Sequence, residues 1–244
     1  ARERLRQKFV DADVGISGAN VIAADTGTVF VIENEGNARF STNAPSVHIC
    51  VSGIEKVVPT VEDALLISRV ITPNATGQLM PVYISLITGP SRTADIELKL
   101  TLGVHGPKEY HMVLVDNGRS KMMKDSDFKE ASYCIRCGAC LSECPVYREI
   151  GGIIWSYKYM GGIGAIWTAF THGLEKAAPI AFTCAVCGRC KAVCPMEINI
   201  PEMILKLRER LLKAGLTPQQ LINVSNNIRN LNNPFGIIRE VEKA

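Results

Sequence analysis

Eight of the nine cysteines in this 244-residue chain fall into two runs with one spelling. The first run is Cys134, Cys137, Cys140 and Cys144, followed by Pro145; the second is Cys184, Cys187, Cys190 and Cys194, followed by Pro195. Both read C-x2-C-x2-C-x3-C-P, a spacing that lets three thiolates wrap one face of an iron–sulfur cube while the intervening amides point at its sulfides. Each proline fixes its own φ and offers no amide hydrogen, so it ends the ligand loop. Gly138, Ala139 and Gly188 keep the loops small enough for backbone to approach a cluster. Zinc sites usually show two separated pairs, often with histidine. Disulfides need an oxidising compartment, and no stretch of the sequence resembles a secretory signal. The chemistry expected is two 4Fe–4S clusters.

In two-cluster ferredoxins the fourth cysteine leaves its own loop and ligates the other cluster. The expected sets are therefore Cys134, Cys137, Cys140 with Cys194, and Cys184, Cys187, Cys190 with Cys144. Such clusters normally pass single electrons, so they form a relay. The two-electron centre that an organic substrate needs must be a flavin, another cofactor or a special cluster. The sequence reveals none, which places a flavin, where one is used, on a partner.

Around these loops the chain has 47% hydrophobic residues and a formal charge of +3 without blocks of like charge. That composition supports a packed core and argues against nucleic acid as a partner. Residues 1–120 read as an α/β domain. A helix is expected over 1–10, strands at Val21–Ala23 and Thr28–Glu33 around an Asp25-Thr26-Gly27 turn, and a strand at Val47–Val51. A helix should start behind Thr60 as N-cap. Further strands are expected over Pro81–Thr88, Asp95–Thr101 and His111–Val115, the last closing on Asp116-Asn117-Gly118-Arg119. No Walker loop and no dinucleotide fingerprint occur.

Residues 121–215 read as a helical domain holding the ligand loops. Its apolar stretch GGIIWSYKYMGGIGAIWTAF contains Lys158, two tyrosines (with Tyr147 shortly before it) and five glycines, and lies between residues that must meet at shared clusters. It is expected to cover the clusters rather than to span a membrane. A helix should open near Asn199 with Pro201 in its first turn and a stripe of Met203, Ile204, Leu207 and Leu211, ending at Gly215. Residues 216–244 form a helical tail starting from a capping-box-like Thr217-Pro218-Gln219-Gln220.

Four segments then carry a resemblance: GISGANVIAADTGTVFVIENEGNARF, HICVSGIEKVVPT, ATGQLMPVYISLITGP and HMVLVDNGRS. Followed by CIRCGACLSECPVYREIGG and a second cluster motif, they resemble the LUD domain and ferredoxin region of lactate-utilisation iron–sulfur proteins of the LutB type. The resemblance implies a NagB/RpiA/CoA-transferase-like α/β fold, here N-terminally incomplete, then an all-α ferredoxin domain. It also implies a role in oxidising lactate to pyruvate within a multi-subunit assembly. CAVCGRCKAVCP and NNPFG resemble heterodisulfide-reductase-type subunits, in which CCG motifs follow; here a missing or partner-supplied region would provide them. The implied partners are other redox subunits, among them a CCG-motif protein or domain and a flavoprotein. The implied location is cytoplasmic, peripheral to the membrane through those partners.

Oxidation of a 2-hydroxy acid needs a base and a cation for the carboxylate. The candidates are Glu35 with Asn34 and Asn37, His48, His111, and Arg119 with Asp116 and Asn117. Each competes with a plainer role in a turn or strand. Lys56 reads as a solvated charge, and Cys50 as a small buried residue with no partner nearby in sequence. Three functions compete: the electron-transfer subunit of a lactate-oxidising complex; a relay in a heterodisulfide-reductase-like or other respiratory complex with no substrate site of its own; and an enzyme in its own right whose LUD domain binds the organic acid.

Overall fold

The computed structural model describes residues 2–95 and 97–236. The chain forms two compact units. The first comprises residues 1–125, 132–139 and 194–198; the second comprises 126–131, 140–193 and 199–244. The first ligand loop up to Ala139 and the segment beginning at Cys194 thus pack with the N-terminal unit, although both lie in the stretch that reads as a separate helical domain.

The first unit runs α1 (Arg2–Val10), β1 (Val14–Ser17), β2 (Val21–Ala23), β3 (Thr28–Glu33), α2 (Asn37–Asn43), β4 (Val47–Gly53), β5 (Val57–Val58), α3 (Val61–Thr76), β6 (Tyr83–Ile87), β7 (Arg92–Thr93), β8 (Thr101–Leu102), β9 (Glu109–Val115) and α4 (Arg119–Lys124). Strands β1, β4 and β9 form a parallel sheet in the order β1-β4-β9. A second sheet has the order β5-β2-β3-β6, and β7 pairs with β8 in a short ribbon.

Strand β3 shows why this sheet is apolar on both faces. Val29 and Val31 pack with Ile22, Cys50, Tyr110 and Met112 towards the parallel sheet. Phe30 and Ile32 pack with Val21, Ala23, Ala64 and Ile71 towards α3. Period-two alternation therefore feeds two cores instead of one core and solvent. Helix α3 starts where expected: Thr60 Oγ1 accepts the Asp63 amide at 3.2 Å, and Gly77 closes the helix in the left-handed region.

The strand expected over Asp95–Thr101 is not formed. Glu97 and Leu98 both have φ near +54°, which turns the chain, and only Thr101–Leu102 is extended. Ile96 lies outside the described residues. Two short helices, α2 and α4, follow the NEGN and DNGR turns; each opens behind a left-handed glycine, Gly36 and Gly118.

The second unit consists of α5 (Ala139–Ser142, its first residue belonging to the first unit), α6 (Pro145–Ile154), α7 (Gly161–Thr171), α8 (Leu174–Thr183), α9 (Arg189–Ala192), α10 (Ile200–Lys213) and α11 (Gln219–Leu231). Helix α7 is its centre, with Ile163 to Thr168 all buried. Gly164 is required there, because a Cβ would lie 2.5 Å from the Tyr159 carbonyl oxygen. Trp155 donates its indole N–H to the Ile180 carbonyl at 3.0 Å, tying the end of α6 to α8. Helix α10 buries Met203, Ile204, Leu207 and Leu211, the stripe that the sequence shows. Helix α11 opens at Pro218 without a side-chain cap, so the capping box is not formed. No helix among the described residues is long and apolar enough to cross a membrane.

Candidate functional site

The two ligand loops have one backbone. Two residues after the first cysteine of each, Arg136 and Val186 have φ of 60° and 52°; two residues further, Gly138 and Gly188 have φ of 83° and 84°. Glycine takes this left-handed conformation without strain. A β-branched residue in the left-handed region is rare, so Val186 takes its place in the loop at a conformational cost. Left-handed residues interspersed among right-handed ones turn successive amides inward, the concave arrangement found around iron–sulfur clusters. Consistent with this, the Val186 amide lies 3.4 Å from Cys184 Sγ, and the Arg136 amide is directed at Cys134.

In the first unit, Cys134 lies beside Cys137 and Cys194. Burial pushes its thiol up, and the Arg136 amide and charge oppose that. In the second unit, Cys144 lies beside Cys184 and Cys190. Cys140, Cys144, Cys184, Cys187 and Cys190 line one cavity with Trp155, Gly162 and Ile163. Burial and the neighbouring thiols push Cys190 up to about 11. The cationic iron of a cluster reverses such a shift, because a coordinating thiol is deprotonated outright. Gly162 brings α7 close, its Cβ position being 3.8 Å from Cys184 Sγ. The apolar stretch between the motifs thus forms a wall around the second set of thiols.

The donor set fits iron–sulfur clusters: it is all thiol, served by backbone amides and walled by apolar side chains. Among the described residues, no three His, Cys, Asp or Glu side chains converge as the ligands of a single ion would; in a cube each thiolate binds its own iron.

The loops differ in their anchors. Ile135 packs against the core beneath α3. Arg136 Nη2 donates to Glu55 Oε1 at 3.0 Å, and Arg119 Nε donates to Glu55 Oε2 at 2.7 Å. The Glu55 side chain is only 2% exposed. Gly53 leaves room for this network, since a Cβ there would collide with the Glu55 carboxylate. In the second unit, Arg208 donates to the carbonyls of Ala181, Phe182 and Cys184, holding the entry to the loop by backbone alone.

Families of known domains match these two parts. The LUD domain matches residues 1–115, and the 4Fe-4S dicluster domain matches residues 130–198. The chain carries a LUD domain followed by a 4Fe–4S dicluster domain. Similar proteins include Lactate utilization protein B of Shouchella clausii, 39% identical over 217 residues, and that of Bacillus subtilis, 38% identical over 219 residues. Each alignment covers 89% of this chain and 44% of the relative. Uncharacterized electron transport protein YkgF of Escherichia coli is 36% identical, covering 88% of this chain and 44% of that protein. The chain therefore spans under half the length of the curated relatives it matches. A crystal structure of a duf162 family protein from Deinococcus radiodurans aligns with 45% of this chain and 57% of that one, at 21% identity and a TM-score of 0.31.

The candidate catalytic residues of the LUD domain do not share a site. His48 pairs in register with Tyr110, and His111 with Ile49, one position along. Successive residues of a strand face opposite sides, so His48 is buried and His111 is exposed beside Glu109 at 3.4 Å. Glu35 is exposed in its turn. Arg119 is 7% exposed and engaged with Glu55 and the Asp116 carbonyl, which makes it an anchor.

The parallel sheet also assembles a polar cluster that sequence order conceals. His48 Nε2 lies 2.8 Å from Ser17 Oγ, and the Cys50 thiol lies against the Ser17 and Tyr110 hydroxyls. Burial lowers the His48 pKa and raises those of Cys50 and Tyr110, so all three are held neutral. Among the described residues no group orients His48 Nδ1, and the imidazole is closed to solvent; the pair braces two strands. Lys56 is half-buried, hydrogen-bonded to the Ala19 carbonyl, and its pKa is lowered by burial and by Arg136. It is not the solvated charge that its neighbours in sequence suggest.

Proposed function

We propose that this chain is the iron–sulfur electron-transfer part of a multi-subunit oxidoreductase that oxidises lactate to pyruvate. One 4Fe–4S cluster is assigned to Cys134, Cys137, Cys140 and Cys194, and the other to Cys184, Cys187, Cys190 and Cys144. The observation that carries this is the pair of ligand loops with one left-handed backbone, each with the distant fourth cysteine beside it: Cys194 by Cys134, Cys144 by Cys184. The 4Fe-4S dicluster match and the relatives named Lactate utilization protein B support the same reading.

Bound clusters would supply one-electron transfer between donor and acceptor. The chain's own residues supply the rest. Cysteines hold the metal, amides turn towards sulfur, Arg136 sets a positive charge beside the first set, and Trp155 with Ile163 excludes water from the second. The two-electron step and its flavin or other centre belong to partner subunits, among them a flavoprotein and a CCG-motif protein or domain. The assembly works in the cytoplasm and reaches the membrane only through partners. The relative named as an electron transport protein favours a second reading, a relay in another respiratory complex with no substrate of its own.

The test is anaerobic. Iron and sulfide content should correspond to two cubes, and electron paramagnetic resonance should follow their reduction by L- or D-lactate with and without co-purifying partners. Reduction only with partners present supports the proposal. Clusters that dithionite reduces but lactate with partners does not would shift the assignment to the second reading.

A further inference from the structure

We propose that the LUD domain binds an organic carboxylate in the cavity beside Lys56, with the ammonium group taking the carboxylate and apolar walls taking the carbon body. The cavity holds about 300 Å³, at the lower end of the range of ligand pockets, roughly 300–1,000 Å³. Ile54, Val57, Val58, Ile67, Met123 and Tyr133 supply its walls. Its charged members are Glu55 and Lys56.

Glu55 has no oxygen left for a ligand cation, since Arg119 and Arg136 each take one. Lys56 is in the opposite position. Its ammonium donates to the Ala19 carbonyl, and among the described residues no carboxylate pairs with it. Burial acts most strongly against its charge, Arg136 and Arg119 add to that, and Glu55 and Cys50 act the other way. A half-buried ammonium without a carboxylate at ion-pair distance gains from an anion bound in the cavity beside it.

The Arg136 amide and charge act on Cys134, and Lys56 is among the residues that line the cavity. Cys134 lines the same cavity, so a carboxylate held there lies against a cluster ligand. The binding site stands on the cavity and Lys56; its service to an electron relay rests on the function proposed above.

The experiment is calorimetric titration of the holo-protein, under anaerobic conditions, with pyruvate, L-lactate and phenylpyruvate as probes. At least one should bind saturably at millimolar concentration or below. Lys56→Gln should weaken that binding about tenfold or more, whereas Lys56→Arg should retain most of it. Val58→Trp, which fills the cavity and keeps the lysine, should abolish it. Both cluster signals should survive in every variant, which shows that the chain still folds. Saturable binding that is unchanged in Lys56→Gln overturns the proposal, as does the absence of binding by all three probes. Absence of binding with intact clusters sinks the pocket and leaves the relay, whereas binding by a chain with no reducible clusters sinks the relay and leaves the pocket.

Discussion

The two ligand loops are the same peptide conformation held by different means. Around Cys134 the support is a side-chain network, Ile135 in an apolar core and Arg136 on buried Glu55. Around Cys184 it is Arg208 gripping backbone carbonyls, with Val186 carrying no charge in the place of Arg136. A duplicated motif thus shares its metal chemistry while its electrostatic setting is decided by the scaffold on which each copy rests. Hydrogen bonds and charge near the sulfurs are levers on cluster potential. The first loop carries a guanidinium between its first and second cysteines, Arg136, where the second loop has Val186; the second loop's guanidinium, Arg189, lies between its second and third cysteines.

The sharpest way to break this comparison is to exchange the effects of the two fourth cysteines. Cys144→Ser should strip or distort the cluster of Cys184, Cys187 and Cys190 and leave the other signal intact; Cys194→Ser should do the reverse. If Cys144→Ser damaged only the Cys134 cluster, the crossed assignment would be wrong. Next in size is Glu55→Ala, which leaves two guanidinium groups facing each other without their carboxylate. It should cost about 3 kcal/mol in chemical unfolding of the first unit and alter the potential of the first cluster but not the second.

A smaller effect separates conformation from anchoring. Val186→Gly should stabilise the second loop by up to about 1 kcal/mol, because glycine takes φ near 52° freely. Arg136→Gly removes the same strain but also the ion pair, and should destabilise in melting experiments. Equal signs for the two would mean that the Glu55 anchor contributes nothing.

A further effect concerns pH. The folded His48 pKa is lowered from 6.5 by burial. Between 6.5 and that lower value the unfolded chain binds a proton that the folded chain refuses, so stability falls as pH falls. The slope should be at most about 1.4 kcal/mol per pH unit below pH 6.5. Hydrogen exchange at β4 amides would show it, and His48→Gln should flatten it.

Much of this was legible in sequence wherever the signal is local. The strands at Val21–Ala23 and Thr28–Glu33, the Thr60 cap and the α10 stripe each follow from a few adjacent residues. The alternation over Asp95–Thr101 misled, because alternation without a partner strand does not make one. Strand β1 is four residues long, and its partner lies some thirty positions away. The same register hid the grouping of Ser17, His48 and Cys50. Lys56 could not be placed either, since its surroundings come from Ala19, Arg119 and Arg136. Cysteine spacing was legible because a cluster demands it locally. The anchors were not, because each is a contact between distant segments.

Cys144 beside Cys184 and Cys190 has a consequence for how the chain is made. Helices α6 to α8 run between these thiols, so a cluster on them closes that whole segment into a ring. By chain-entropy arithmetic, a staple across a loop of this length is worth about 4 kcal/mol. Iron supply then becomes a folding variable: a cell short of iron would accumulate chains whose helical segment is loosely held and open to proteolysis, and turnover of the protein would track the delivery of its clusters.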